Sequence, residues 1–239
     1  MNKENFGGGS PAQRIVCFGD SITRGISFVQ ERLRLISPTY PAELASRLKV
    51  RGAYQVFNKG HFNATSQDLL KRVQRDVDDI MPDLVLLEAG ANDSDMLWED
   101  VANAPDSPHQ ARVPLEQFIE NMATLVTHLR NDGVPVAVLS LFPLDPARYY
   151  SFLSQRYSSS ISHWIARCGG IAWWQDQYNQ ALEGLTGSLH VTWIDVRAWV
   201  AETTSLNNFL GPDGVHPTPW GYRAFGNFIA AELQNRHLI

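Results

Sequence analysis

The sequence predicts an α/β fold, in which a parallel sheet of five strands is covered by helices on both faces. Short apolar runs alternate with longer amphipathic runs along the chain, which is the order expected of parallel sheets. The run at 83–87 is continuously apolar, as in a strand buried on both faces. No internal repeat interrupts this order.

The elements follow one another without a break. Strands are predicted at 14–18, 54–57, 83–87, 134–139 and 191–194. Helical spacing of apolar residues predicts helices at 41–49, 65–80, 114–130, 149–167, 173–185 and 220–233. Pro82 ends the second helix and the Asn131-Asp132-Gly133 turn ends the third. The loop at 93–113 is long enough to be functional, as a lid or a partner surface.

Length and composition indicate one globular domain. The chain has 239 residues, 44% of them hydrophobic, and a net charge of −5. We expect a polar, Gly-rich tail at 1–13 and a single domain at 14–239. The mildly acidic balance argues against nucleic-acid partners, which need a basic surface, and against a polybasic membrane anchor.

The sequence contains no motif for a cofactor or a metal. Its two cysteines, Cys17 and Cys168, are too few for a disulfide framework or a cysteine zinc site, and no histidine cluster has ligand spacing. No Walker loop and no G-x-G-x-x-G follow the first strand. We therefore expect no cofactor and no metal. The absence of a hydrophobic signal core predicts a cytoplasmic protein, with secretion after signal removal left open.

Small and titratable residues gather after the predicted strands. They are the segments 19–21, 58–61 and 90–93, together with the loop 211–218 before the last helix. Ligands of open α/β sheets bind outside the carboxyl ends of the strands. The four segments are therefore expected to form one site.

The residue types in these segments suit nucleophilic catalysis. A serine on a tight turn, Ser21, needs a base, for which His216 is the candidate, and Asp213 is placed to orient that imidazole. The backbone N–H groups of Ser21 and Gly60 and the side-chain amide of Asn92 are candidate donors to an oxyanion.

These segments resemble the sequence blocks of the SGNH, or GDSL, hydrolases. Residues 18–23 (FGDSIT) resemble the first block, Gly60 the glycine of the second, 90–93 (GAND) the third and 213–217 (DGVHP) the fifth. The resemblance implies a flavodoxin-like three-layer α/β/α fold and the roles given above to Ser21, His216, Asp213, Gly60 and Asn92. More loosely, 113–130 is similar to the isoamyl-acetate-hydrolysing esterase branch.

The walls of the expected substrate pocket are less sharply indicated. Asp20 is also a candidate for a hydrogen-bonding turn residue, and His61 for an exposed loop residue, which we favour. The candidates for pocket residues are Asp20, His61, Phe62, Asp93, Trp98, Phe142, Val215 and Trp220.

The sequence thus predicts a serine esterase that hydrolyses short acyl esters through an acyl-enzyme. A carbohydrate O-acetyl esterase and an acyltransferase use the same residues and remain alternatives, whereas a thioesterase or lysophospholipase needs a long acyl groove. A flavin-binding module at the same strand ends is the rival from another class. The expected partner is a small ester, and the oligomeric state stays open, a homo-oligomer included.

Overall fold

A parallel sheet of five strands forms the centre of the molecule. The computed structural model describes residues 12–49, 54–203 and 205–239. Its strands are β1 (Gln13–Gly19), β2 (Ile26–Val29), β3 (Arg32–Leu35), β4 (Tyr54–Gly60), β5 (Leu84–Leu87), β6 (Val136–Leu139) and β7 (Thr192–Ile194). The order β4-β1-β5-β6-β7, with every pair parallel, confirms the predicted sheet.

Twelve helices surround the sheet in the described ranges. In chain order they are α1 (Ser21–Arg24), α2 (Tyr40–Leu48), α3 (Ser66–Leu70), α4 (Val73–Asp76), α5 (Trp98–Asn103), α6 (Leu115–Asn131), α7 (Pro146–Arg156), α8 (Ile161–Arg167), α9 (Ile171–Leu189), α10 (Val196–Thr203), α11 (Leu206–Phe209) and α12 (Pro219–Asn235). None of these helices is both long and apolar enough to cross a bilayer.

Alternate residues of β1 enter two separate apolar cores. Ile15 and Cys17 pack on the side that holds α2 and α12, whereas Val16 and Phe18 pack on the side that holds α6 and α9. All four are almost fully buried. Both faces of the sheet are therefore covered, and the predicted three-layer α/β/α arrangement is confirmed.

The first strand begins one residue earlier than expected. The strand β1 begins at Gln13. Most of the predicted tail, residues 1–11, lies outside the described residues.

Two predicted helices are interrupted. The segment 65–80 forms α3, α4 and a 3₁₀ turn (Asp78–Ile80), because the N–H of Arg72 donates to the carbonyl of Leu69, three residues back, and tightens the chain out of the α-helical pattern. The segment 149–167 divides into α7 and α8 at three serines, where the Ser158 hydroxyl accepts from the backbone N–H of Ser160.

Three structural features were not predicted from the sequence. The hairpin of β2 and β3 turns at Gln30 and Glu31, whose φ angles of 51° and 61° are usually supplied by Asn-Gly. Helix α5 lies within the predicted loop 93–113. Helices α10 and α11 occupy the stretch after β7 that the sequence left unassigned.

The close approach of β4 to α1 yields a first prediction. A Cβ on Gly60 would lie 2.0 Å from the backbone nitrogen of Arg24. We therefore expect Gly60→Ala to lower the free energy of unfolding by ~2 kcal/mol or more, through overpacking. A Cβ on Gly184, in α9, would have nothing within 4 Å, and Gly184→Ala is expected to gain ~0.5–1 kcal/mol. Urea unfolding of both variants checks this; equal effects would contradict it.

Candidate active site

Ser21 lies on a tight turn directly after β1. The side chain of Asp20 caps α1 by accepting from the backbone N–H of Ile22 at 2.8 Å, and Gly25 ends this single turn at a φ of 96°. Both side chains, Asp20 and Ser21, are buried. A helix only four residues long thus holds the hydroxyl at the carboxyl edge of the sheet.

The structure brings Ser21, His216 and Asp213 together in one hydrogen-bonded series. The Ser21 Oγ lies 3.0 Å from His216 Nε2, and His216 Nδ1 lies 2.6 Å from Asp213 Oδ2. The other carboxylate oxygen of Asp213 accepts from the backbone N–H of His216 at 3.2 Å, which fixes the loop around the imidazole. Nδ1 donating to Asp213 leaves Nε2 free to accept the Ser21 proton.

The turn before His216 requires a glycine. Gly214 has a φ of 74°, and a Cβ there would lie 2.6 Å from the backbone nitrogen of Tyr149 in α7. Its carbonyl accepts from the backbone N–H of Asp145 at 2.8 Å. The DGVH segment is therefore locked against the first turn of α7, which sets the position of the imidazole.

Gly60 does not offer its amide to the site. Its backbone N–H donates to Asn58 Oδ1 at 2.9 Å, and Gly60 does not line the cavity in front of Ser21. Its predicted part as an oxyanion donor is not supported by this geometry. The glycine is needed instead for packing, because β4 touches the backbone of α1 at this point.

Asn63, three residues further on, is the residue that the sequence reasoning missed. It lines the same cavity as Ser21 and Asn92, and its φ of 61° lies in the left-handed region that asparagine tolerates. Among the described residues, nothing accepts from the backbone N–H groups of Ser21 or Asn63. The sequence signal that could have indicated it is an asparagine soon after the end of a strand, since asparagine tolerates the left-handed backbone conformation.

Asn92 is held rigidly by its own hydrogen bonds. Its Nδ2 donates to Asp20 Oδ2 at 3.0 Å and to the carbonyl of Ala64 at 2.9 Å. To serve an oxyanion, Nδ2 must share one of these hydrogens with it. Its Oδ1 accepts from Arg112 Nη1 at 3.4 Å.

Arg112 connects the two asparagines. Its Nη1 donates to Asn63 Oδ1 at 2.7 Å, and its Nη2 lies 3.4 Å from the carbonyl of Asn63. The guanidinium therefore fixes the left-handed turn at Asn63 and polarises the carboxamide of Asn92. Sequence reasoning treated this arginine only as part of the long loop.

Three carboxyl groups are buried behind the site. Burial raises the pKa of Asp20 well above its ordinary range, and the adjacent Glu88 raises it further. Burial likewise raises the pKa of Glu88, against the N–H of Asp20 and the hydroxyl of Thr23 that donate to it. Burial raises the pKa of Asp93 to about 6, although the Ser66 hydroxyl donates to its Oδ1 at 2.5 Å.

A cavity of about 360 Å³ opens in front of Ser21 and His216. Of the predicted pocket residues, Phe62, Trp98 and Val215 line it. The sequence did not indicate the wall formed by α7 and α9, which includes Tyr149, Phe152, Leu153, Ile171, Trp174 and Gln175, nor the participation of Asp95.

Five predicted pocket residues do not line the cavity. Asp20 and Asp93 are buried beneath it and serve as hydrogen-bond acceptors. His61 lies 2.8 Å from Asp76 through Nε2, and Phe142 packs in the apolar core against Phe225. The last, Trp220, is half exposed at the start of α12.

One group of potential metal ligands occurs in the described ranges. Asp78, His128 and Asp132 bring ligand atoms within 4.8 Å of one another. They belong to the 3₁₀ turn and to the end of α6, and they do not line the cavity. Exposed groups of this kind are common, and we assign this one no role.

A serine hydroxyl, an imidazole and a carboxylate in series, beside unpartnered amides, form the type of site that serine hydrolases use. The chain belongs to the GDSL-like lipase/acylhydrolase family, whose model matches residues 17–224. It is accordingly a carboxylic ester hydrolase, and the family that its blocks resemble is confirmed. The match does not select the isoamyl-acetate branch, which stays a prediction.

Solved structures share the fold along almost the whole chain. A lipase/acylhydrolase from Enterococcus faecalis is 22% identical, with a TM-score of 0.70 over 94% of this chain and 96% of that one. An acetylxylan esterase from Geobacillus stearothermophilus, a catalytic mutant, is 19% identical, with a TM-score of 0.66 over 93% and 94%. A further acetyl xylan esterase is 20% identical, with 0.64 over 92% and 99%. No curated protein matches the chain.

The raised pKa of Asp93 predicts a pH-dependent stability. Its pKa is about 6 in the folded state against an ordinary 3.8. The contribution of this group to the free energy of unfolding is therefore fully present below pH 3.8 and is lost as the pH rises through 6. Relative to Asp93→Asn, the wild type should lose about 2 kcal/mol of unfolding free energy between pH 4 and 7.

Urea unfolding at several pH values measures this difference. Asp100→Asn, at an exposed position in α5, is the control for the loss of one carboxylate. If the free energy of unfolding of the wild type, relative to Asp93→Asn, stays constant with pH or increases toward pH 7, the raised pKa of Asp93 is contradicted.

Proposed function

We propose that this protein is a serine esterase that acts on short acyl esters through an acyl-enzyme. The observation that carries the proposal is the series Ser21–His216–Asp213, with links of 3.0 and 2.6 Å, at the wall of a cavity. The series supplies a nucleophile, a base and a group that stabilises the imidazolium.

The reaction follows from these contacts. His216 Nε2 takes the proton of Ser21 as its Oγ attacks the ester carbonyl, and Asp213 stabilises the resulting imidazolium. The imidazolium then gives this proton to the leaving alkoxide, which departs as the alcohol. Water enters, loses a proton to His216 and attacks the acyl-Ser21 ester, and the return of the proton to Ser21 Oγ releases the acid.

Three groups in the cavity wall are candidate donors to the oxyanion. We assign them as the backbone N–H groups of Ser21 and Asn63 and the Nδ2 of Asn92, with Asn63 in the place first considered for Gly60. The N–H groups of Ser21 and Asn63 have no acceptor among the described residues, and both residues line the cavity. Donors held in advance cost no reorganisation when the negative charge develops.

The size of the cavity supports a small substrate. Its volume of about 360 Å³ lies near the lower end of ligand pockets. Buried aromatic and aliphatic side chains of α5, α7 and α9 close its wall, among them Trp98, Leu153 and Trp174. A long acyl chain would need an apolar groove that extends beyond them.

A carbohydrate O-acetyl esterase is the second candidate for the same site. The cavity wall carries polar groups that a simple alkyl ester would leave unused, among them the carboxylate of Asp95 and the carboxamide of Gln175. The two acetylxylan esterases among the structural neighbours point in the same direction.

The nucleophile is tested by Ser21→Ala on p-nitrophenyl acetate, butyrate and octanoate. We expect the variant to lose activity by ~10⁴-fold or more, and wild-type kcat/KM to fall beyond butyrate. Ser27→Ala is the matched control, because this buried hydroxyl of β2 has no partner among the described residues. Activity that survives Ser21→Ala would mean another nucleophile, and a preference for octanoate would contradict the short acyl group.

The part of Arg112 is tested by Arg112→Met. Because this arginine acts through Asn63 and Asn92, we expect kcat to fall ~10-fold with little change in KM, against ~10²–10³-fold for Asn92→Ala. Free guanidinium at non-denaturing concentration should restore part of the kcat of Arg112→Met and none of that of Asn92→Ala. Arg223→Met, at an exposed position, controls for charge. A change confined to KM contradicts the assignment.

A further inference from the structure

The carboxamide of Gln175 lies in the cavity wall without a hydrogen-bond partner. Only 4% of the residue is exposed, and its Oε1 is buried with no donor in the described residues. Gln175 belongs to the first half of α9 and lines the same cavity as Ser21 and His216. A buried carboxamide left unpaired costs free energy, and a half-turn about its Cγ–Cδ bond exchanges the buried oxygen for the amide, so that this group favours a hydrogen-bonding ligand in the cavity.

The surroundings of Gln175 supply the rest of a polar subsite. Asp95 Oδ1 accepts from the hydroxyl of Tyr149 at 2.6 Å and from the indole N–H of Trp98 at 2.7 Å, so this carboxylate is held in one orientation in the same wall. The rings of Trp98 and Trp174 lie with their centroids 5.9 Å apart and give the wall an apolar, aromatic part. Fixed acceptors beside aromatic rings suit a ligand that carries hydroxyl groups on a carbon skeleton.

We propose that Gln175 is a specificity residue whose carboxamide forms a hydrogen bond with a hydroxyl group of the substrate ester. This inference rests on the proposed esterase function and names the class of ester, one whose acyl or alcohol part is hydroxylated. A plain alkyl ester in the cavity would leave the carboxamide unpaired and desolvated. Sites that hydrogen-bond a substrate hydroxyl discriminate strongly against analogues that lack it.

Two pairs of esters separate the two places that the hydroxyl can occupy. For the acyl part, p-nitrophenyl 3-hydroxybutyrate is compared with p-nitrophenyl butyrate. For the alcohol part, a mono-O-acetylated methyl xyloside is compared with cyclohexyl acetate. We expect the wild type to favour the hydroxylated member in one pair, and Gln175→Met to lower its kcat/KM ~10–100-fold while the deoxy member changes less than ~3-fold.

The thermal stability of the same variant distinguishes recognition from a structural part. Methionine has nearly the length of glutamine and no polar group to leave unpaired, so Gln175→Met should have an unchanged or higher Tm. Gln180→Met, the same substitution at an exposed position of α9, should change neither Tm nor the substrate ratios. A lower Tm in Gln175→Met would show that the carboxamide supports the fold, and would overturn the proposal.

The remaining outcomes are also decisive. If the wild type is active and Gln175→Met changes kcat/KM equally for both members of each pair, or for neither, the proposed specificity role of Gln175 is wrong and the esterase function stands. A wild type that hydrolyses none of the four esters, and whose trace activity equals that of Ser21→Ala, contradicts the proposed function and this inference together.

Discussion

The site depends on the buried carboxyl group of Asp20. One of its oxygens caps α1 by accepting from the N–H of Ile22, and the other accepts from Nδ2 of Asn92. It thereby couples the turn after β1 to the loop after β5.

Among the described residues no arginine or lysine bonds to Asp20, and the second buried carboxyl, Glu88, accepts from the backbone N–H of Asp20. Burial raises both pKa values, and the proximity of Glu88 raises the pKa of Asp20 further, so together the two groups favour holding a proton. Burying two carboxyl groups in an apolar environment costs free energy, so their presence here fits a positioning function rather than a contribution to stability.

The parts of the site that were predictable from sequence share a local cause. Ser21, Asp213 and His216 occupy short segments whose spacing sets their geometry, so that Asp213 and His216 contact each other within a single turn of chain. The five strands were predictable from short apolar runs, which burial on both faces makes continuous in β5 and β6. Helices were less well delimited where a tightened turn or a run of serines broke them, since periodicity continues across such breaks.

What the sequence could not supply are the rotamers and backbone angles of single residues, and contacts between segments far apart in the chain. Whether the amide of Gly60 is free depends on the rotamer of Asn58, and whether that of Asn63 is free depends on its left-handed backbone. The link from Arg112 to Asn63 spans 49 positions, and α7 and α9 reach the cavity through a further apolar cluster that includes Trp98, Leu153 and Trp174. Proximity in sequence to His216 misled for the same reason: Trp220 is four residues away and yet does not line the cavity.

Several of the unfavourable groups in the molecule lie around the site. The two sheet-facing cores consist of apolar side chains. The left-handed Asn63, the close carboxyl pair and the unpaired carboxamide of Gln175 instead surround the cavity or lie directly beneath it. Each of these groups costs stability, and the packed cores on both faces of the sheet offset that cost. Local conflicts of this kind are expected where function requires them, and of the unpaired buried side-chain atoms in the described residues, the one in Gln175 is the one that belongs to the cavity wall.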